Sequence, residues 1–250
     1  MEENTEKAGR IFLYELINFI EDSLVDSHNS HKAIPQFADI PKLGTVLEQN
    51  PAVIQPNLGF MLPKDDSLEK ISNDIRLCRA CRLYAGRKNT VPGFGPIKPV
   101  VMVLGEAPGA EEDASGLPFV GAAGKLLDKM LSAIGLSREN NCFIGNIVKC
   151  RPPHNRDPAP DEQAACMPFL ERQIALLDPK AFLTIGRIPG QALLNTKDSL
   201  GSLRGKVYDF RGRPLVASYH PSALLRDESY KRPAWEDLKL LKSMLDKLGK

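Results

Sequence analysis

The stretch KPVVMVLGEAPGAEEDASGLPFVGAAGKLLDKML, residues 98–131, decides the fold. Val100–Leu104 is a short run rich in β-branched residues that stops at Gly105, and from Ala122 to Ile134 apolar residues return at helical spacing. A strand followed at once by a helix is the opening of a crossover unit, and the pattern then repeats. Cys142–Val148 reads as a second strand, followed by a Pro-rich loop and a helix over about Asp161–Leu177. Ala181–Ile185 is a third strand, ending in Gly186 and leading to a short helix near Gln191. Leu215–Ser218 is a fourth, and Trp235–Leu248 closes the pattern as a helix. Strands alternating with helices imply right-handed crossovers and a parallel sheet covered on both faces. The expected class is therefore α/β, three layers α/β/α around a central four-stranded parallel sheet. Ligands of such sheets bind at the carboxyl ends of the strands. The polar clusters fall there: Gly105–Gly109 after the first strand, Asn146 late in the second, and His220–Ser222 after the fourth.

Upstream the character changes. Residues 8–25 have Leu13, Ile17, Ile20 and Leu24 on one helical face, with Glu15, Glu21 and Asp22 elsewhere. Pro35, Pro41, Pro51, Pro56 and Pro63 then punctuate a stretch without periodicity. This predicts an amphipathic helix over 1–26, a linker over 27–66 and a domain over 67–250. The apolar run Ile11–Ile20 is too short and too polar for a membrane span, and its acidic flank is unlike a signal peptide, so the protein is expected to be cytoplasmic.

The net charge of +2 hides an asymmetry. Residues 1–75 hold 6 Lys/Arg against 13 Asp/Glu, a net of −7, and the remainder carries a net of +9. A basic body with an acidic leader suits a polyanionic partner for the body; scattered solvated charge is the blander alternative. Five cysteines, an odd number, in a chain without a secretion signal argue against a disulfide framework. Cys78 and Cys81 form C-x2-C within the basic stretch RLCRACRLYAGRK, Cys150 follows the second strand, and Cys166 lies fifteen residues further on. Four thiolates so spaced suit tetrahedral zinc or a four-iron cluster, and composition does not choose between them. Cys142, inside a strand, reads as core. A phosphate loop is absent, because Phe119 stands where its first glycine would be and Leu126 follows Lys125; the dinucleotide fingerprint is absent too.

Three segments carry a resemblance. GEAPGAEEDASGLPFVGAAGKLL, GNIVKCRPPHNRDP with its further cysteine, and HPSALLR resemble the family 4, iron–sulfur uracil-DNA glycosylases over about Leu77 to Leu248. Family 5 would have a first motif without the acidic Glu106, and the branch that traps DNA covalently would have a basic, histidine-ending insertion where this chain has RPPHNRDP, with His154 inside it. The resemblance implies a base-excision enzyme that cuts uracil from single- or double-stranded DNA, with a 4Fe-4S cluster on Cys78, Cys81, Cys150 and Cys166. It gives His220 the hydrogen bond to uracil O2 and Phe119 the stack on the base. Asn146, with one acceptor and two donors, suits N3–H and O4 together. Glu106 would position water or the sugar, Glu112 would exclude the thymine methyl, and Ala107 stands where better-known glycosylases have a catalytic Asp. Gly105 and Gly109 permit close backbone approach. The Leu224–Leu225 pair would fill the gap left by the flipped base, with Ser222 and Arg226 on phosphates.

Two other classes compete. A non-catalytic metal-binding nucleic-acid adaptor would explain the cysteines and the basic body, but not Asn146 and His220 at adjacent strand ends. A small-molecule hydrolase would not need the leucine loop. The expected state is a monomer, with residues 8–25 free for a protein partner or self-association.

Overall fold

The computed structural model describes residues 65–248; the helix expected over 8–25, and the linker up to residue 64, lie outside them. The first element, α1 (Leu68–Leu77), starts at Ser67, whose Oγ accepts from the Lys70 backbone N–H at 3.1 Å, a helix cap. Ile71 and Ile75, one turn apart, are both buried. Arg172 fastens the start of this helix to the body by gripping Asp66 at 2.6 and 2.8 Å and Asp74 at 2.7 Å.

The body is a five-stranded sheet in the order β2-β1-β3-β5-β4. Strands β1 (Val101–Gly105), β2 (Cys142–Asn146), β3 (Ala181–Ile185) and β5 (Arg213–Ser218) run parallel, as the alternation of strands and helices requires. The four-stranded expectation is corrected by β4 (Val207–Phe210), which pairs antiparallel with β5 at the edge. Its hairpin turns through Arg211 and Gly212, both at positive φ (58° and 77°), the two-residue geometry that matches strand twist. A short, half-exposed edge strand has no continuous apolar run, so it leaves little trace in a sequence.

Period-two alternation divides the core. Val101 and Val103 of β1 face α3 (Ala122–Ser132) and α8 (Lys231–Leu248), where Leu127, Leu131 and Leu238 are buried. Met102 and Leu104 face the other way, against Leu170 and Ile174 of α4 (Pro160–Leu177). Both faces of every central strand are therefore apolar, which is why these strands read as unbroken hydrophobic runs. Each fully buried leucine here stabilises the fold by roughly 1.5–3 kcal/mol.

Shorter helices α2 (Ala110–Ser115), α5 (Arg187–Leu194) and α6 (Leu200–Leu203) lie in the connections between strands, and α7 (Pro221–Arg226) follows β5. The segment before β1 doubles back so that Phe94 and Ile144 exchange backbone hydrogen bonds of 2.9 and 2.8 Å along the outer edge of β2. The chain leaves β1 towards β2 but leaves β3 towards β5, so the topological switch point lies between β1 and β3. Among the described residues no helix is long and apolar enough to cross a membrane.

Candidate active site

Register sets the site. Gly105 and Asn146 are paired residues at the ends of β1 and β2. A Cβ on Gly105 would stand 2.5 Å from Asn146 Oδ1 and 2.6 Å from the Phe119 ring, so only glycine fits between them. Phe119 sits at φ 54°, held there by Arg138, which donates to the carbonyls of Pro118 (2.8 Å) and Phe119 (2.9 Å). Gly124 backs onto the same carbonyl, where a Cβ would stand only 1.8 Å away. The Phe119 and His220 rings are 5.6 Å apart between centroids. Gly105, Asn146, Phe119 and His220, far apart in sequence, thus converge at the carboxyl ends of the strands.

Asn146 is 1 % exposed and its Oδ1 has no hydrogen-bond partner. Leaving a buried acceptor unmet costs about 1–3 kcal/mol; Thr184 Oγ1 and Ser218 Oγ share that state, and Asn146 Oδ1 is the one beside Gly105 at the strand ends. His220 is the complementary donor. Its Nδ1 accepts from the Ser222 backbone N–H at 3.1 Å and lies 2.7 Å from Ser222 Oγ. With Nδ1 used as an acceptor, the ring proton belongs on Nε2. Burial, reinforced by Arg226 and opposed by Glu112, pulls the His220 pKa down to about 4. At neutral pH it is therefore an uncharged imidazole with a free Nε2–H donor.

Both oxygens of Glu112 accept backbone N–H groups: Oε1 from Val120 (2.9 Å) and Gly121 (3.2 Å), and Oε2 from Gly109 (3.1 Å). Glu112 and Gly109 thereby clamp the loop that carries Phe119. Glu106 follows β1, half-buried, with Ala107 packed against the core face of Met102 and Leu104. Burial first, then the neighbouring Asp157 carboxylate, raises the Glu106 pKa to about 7, while Arg187 opposes the rise. Asp157 lies beside Glu106 and pairs with Arg187 at 2.6 Å. Neither partner was singled out in the sequence; each lies in a loop or helix start after a different strand, and only the fold unites them.

The leucine pair is corrected in one member. Leu224 is 3 % exposed and packs into the core beneath α7, because residues on a helix that short divide between the core and solvent sides. Leu225 is 53 % exposed, and Arg226 is exposed beside it. His154 is exposed too, at φ 55° in the loop after β2.

On the other side of β2, Cys78, Cys81, Cys150 and Cys166 line one small cavity, partly open to solvent, with Tyr84 and Phe169 at its wall. Three of the sulfurs face donors: the Ala80 N–H at 3.4 Å from Cys78, Arg87 Nη1 at 3.2 Å from Cys150, and the Lys149 N–H at 3.3 Å from Cys166. Among the described residues no three His, Cys, Asp or Glu side chains stand close enough to share one metal ion. N–H groups aimed at three of the four sulfurs suit anionic sulfur ligands. Cys142 belongs to the opposite core face, and burial pushes its thiol up to about 12. Between the cavity and the pocket, Glu162, with a fully buried side chain, binds Arg82 (2.8 Å) beside Cys81 and Arg156 (2.7 and 2.8 Å) of the loop after β2. The Arg156 contact is the main cause that holds the Glu162 carboxyl down at about 2.

Comparison with known proteins agrees with this geometry. The model of the Uracil DNA glycosylase superfamily matches residues 92–239. The type-4 uracil-DNA glycosylase of Saccharolobus solfataricus is 44% identical over 189 residues, which cover 72% of this chain and 87% of that protein. The type-4 uracil-DNA glycosylase of Thermotoga maritima is 39% identical over 193 residues, 76% of this chain and 100% of that protein. A type-5 uracil-DNA glycosylase of Thermus thermophilus is 32% identical over 194 residues, 62% of this chain and 86% of that protein.

Proposed function

The chain belongs to the uracil DNA glycosylase superfamily and, within it, to the type-4 uracil-DNA glycosylases, and from that premise we propose how its residues release uracil. The reaction is hydrolysis of the N-glycosidic bond between uracil and deoxyribose in DNA, leaving an abasic site for base excision repair. Uracil in a duplex is hidden in the stack and must be flipped out, at a cost of roughly a few kcal/mol. The C1′–N1 bond breaks with its electron pair leaving on uracil, water supplies the new oxygen at C1′, and one water proton is taken up by Glu106. Charge on the departing base is the main problem, so donors fixed in advance are the main solution.

The buried, unpartnered Oδ1 of Asn146 is the observation that carries this reading: it suits uracil N3–H, with the amide NH₂ on O4. His220 Nε2–H serves O2, and Phe119 stacks on the ring. Glu112 keeps the base-stacking loop tight, which leaves no room for a methyl at C5. Leu225 fills the vacated stack, with Arg226 on a phosphate; Ser222 is a hinge between the two roles, since its N–H and hydroxyl already orient His220.

The cysteine cavity suits a 4Fe-4S cluster held by Cys78, Cys81, Cys150 and Cys166. Hydrolysis requires no electrons, so the group's contribution when bound is structural: it ties the loop of Cys78 and Cys81 to the strand end of Cys150. The substrate is uracil-containing DNA, the setting cytoplasmic.

The decisive experiment is free-base release from matched uracil- and cytosine-containing oligonucleotides by the wild type and Asn146→Asp. Cytosine reverses the hydrogen-bonding edge, with an acceptor at N3 and an amino group at C4. Asn146→Asp should therefore lose uracil release by about 10- to 100-fold, the equivalent of one unmet buried group, and gain weak cytosine release at mispaired or single-stranded sites. Wild-type uracil rates in Asn146→Asp would show that selectivity comes from elsewhere in the pocket.

A further inference from the structure

Of the described non-glycine residues at positive φ, Phe119 is the only apolar one; the others are His154, Asn155, Asp178, Asn195 and Arg211. Short polar side chains ease that conformation by local hydrogen bonds, and phenylalanine has no such help. The hold comes from outside. A residue's φ is set by the peptide before it and its ψ by the peptide after it, since each peptide is a rigid plane. Arg138, with a side chain only 12% exposed, grips both: Nη1 donates to the Pro118 carbonyl at 2.8 Å and Nη2 to the Phe119 carbonyl at 2.9 Å. The second peptide is also held at its other end, where the Val120 N–H donates to Glu112 at 2.9 Å. The root of Arg138 is fixed as well. It stands in the turn between α3 and β2, where the Ser137 N–H donates to Asn141 Oδ1 at 2.7 Å. The Asn141 carbonyl accepts the Val100 and Val101 N–H groups at 2.8 and 3.1 Å, which ties the turn to the start of β1. Along the way Arg138 Nε donates to Asp128 of α3 at 2.8 Å. A series of fixed groups therefore runs from the amino end of the sheet to the ring that neighbours His220.

We propose that Arg138 is a positioning residue that sets pyrimidine selectivity: by fixing both peptides that flank Phe119, it keeps the ring where it stacks on uracil and leaves no room for a base with a methyl at C5. The inference rests on the reading of Phe119 as the residue that stacks on the base. Arg138 never touches the substrate and acts through Phe119, from a turn at the opposite end of β2. The grip on the two carbonyls is what counts, because an ion pair with the half-exposed Asp128 contributes little by itself. Lysine would not serve, since one ammonium does not span two carbonyls as the planar fork does.

The test is a double-mutant cycle, read as single-turnover release of uracil and of thymine, each opposite guanine, by the full-length, cluster-loaded protein. Arg138→Met keeps much of the bulk and removes the grip. It should slow uracil release about tenfold, the usual consequence of losing hydrogen bonds from a charged group. The thymine-to-uracil ratio should rise about tenfold, the weight of one methyl group in a pocket. DNA affinity and the visible absorption band should be unchanged. Arg138→Lys, which keeps the charge beside Asp128 but loses the fork, should show the same two changes. Asp128→Asn, which removes the ion pair and leaves the grip, should keep wild-type rate and selectivity. In a Phe119→Ala background Arg138→Met should cost nothing further, because the ring that it positions is gone. Equal slowing by Arg138→Met with and without the ring, or an unchanged thymine-to-uracil ratio, would overturn the proposal and leave Arg138 as a brace of the turn. If Arg138→Met does not fold, Arg138→Lys takes its place in the cycle. Phe119→Ala alone separates the two readings. A wild-type rate there rejects the stack on uracil, whereas a slow Phe119→Ala with an additive Arg138→Met rejects only the role of Arg138.

Discussion

The proposed uracil pocket and the cysteine cavity flank the end of the same strand, β2, yet they are finished differently. The pocket is built from the ends of strands and holds groups with unused capacity: the Oδ1 of Asn146 without a donor, and the Nε2–H of His220 left free by the bonds at Nδ1. The cavity is built from a loop, a strand end and a helix, and three of its four sulfurs already face N–H donors. One site retains unmet polar capacity, which suits a visitor that must come and go. The other has little left unmet, which suits a resident. On the proposed reading, stability and turnover fall to opposite sides of one strand.

Three experiments break or sharpen that contrast. The largest effect belongs to the resident side. Cys150→Ala should abolish the yellow-brown colour expected of iron-loaded protein and most of the soluble yield, because a buried ligand is lost and the loop of Cys78 and Cys81 is released. Iron analysis and the visible spectrum are the measurements, and a colourless, fully active wild type with stoichiometric zinc would remove iron from the account.

On the visitor side, His220→Ala should leave the fold and visible spectrum intact and cut turnover by about 10²–10³-fold, the usual consequence of losing one preset donor. DNA affinity should move only severalfold, since the bond strengthens in the transition state. Equal losses in binding and rate would make His220 a docking group. Its pKa near 4 also means that its donor form persists across the working pH range, so it should contribute no pH dependence above about pH 5.

The pH dependence should come instead from Glu106, with the smallest amplitude of the three. Its pKa is raised to about 7, so below that value it is a neutral acid, unable to take the water proton, and above it a carboxylate. Single-turnover rates should rise up to tenfold per pH unit below about pH 7 and level off above it. Glu106→Gln should flatten the limb. Asp157→Asn removes the negative neighbour that raises the value and should move the limb to lower pH. A limb that stays in place in both variants would assign the titration to another group.

How much of this was legible in the sequence follows the range of the interactions involved. The four parallel strands were legible because each is an apolar run, such as Val101–Leu104, bounded by glycine or a turn, and the strand-end polar residues followed from their order. β4 was not, since Val207–Phe210 has only one buried residue, although the Arg211–Gly212 turn was an available signal. The first helix carried a local signal in Ser67, three residues before Lys70, that the proline-rich stretch before it overshadowed. Within the site, Asn146, His220, Phe119 and the four cysteines were visible as residue types in motifs. Leu224 was misjudged because which face of a one-turn helix is buried depends on the sheet beneath it. Asp157 lies inside the segment GNIVKCRPPHNRDP without standing out in it, and Arg187 lies in no motif; both matter through Glu106, to which the crossovers bring them.

The backbone exchange between Phe94 and Ile144 has a consequence for life at high concentration. An outer strand with open N–H and C=O groups is a template on which a second chain adds its own strand, the first step towards fibres. The short bridge occupies the middle of β2 and interrupts that template, and Gly95 permits it: a Cβ there would stand 2.3 Å from the Cys142 carbonyl. At the far edge β4 is only four residues long and tied into a tight hairpin. Neither margin offers a long open ladder, so the molecule is guarded against polymerising through its own sheet.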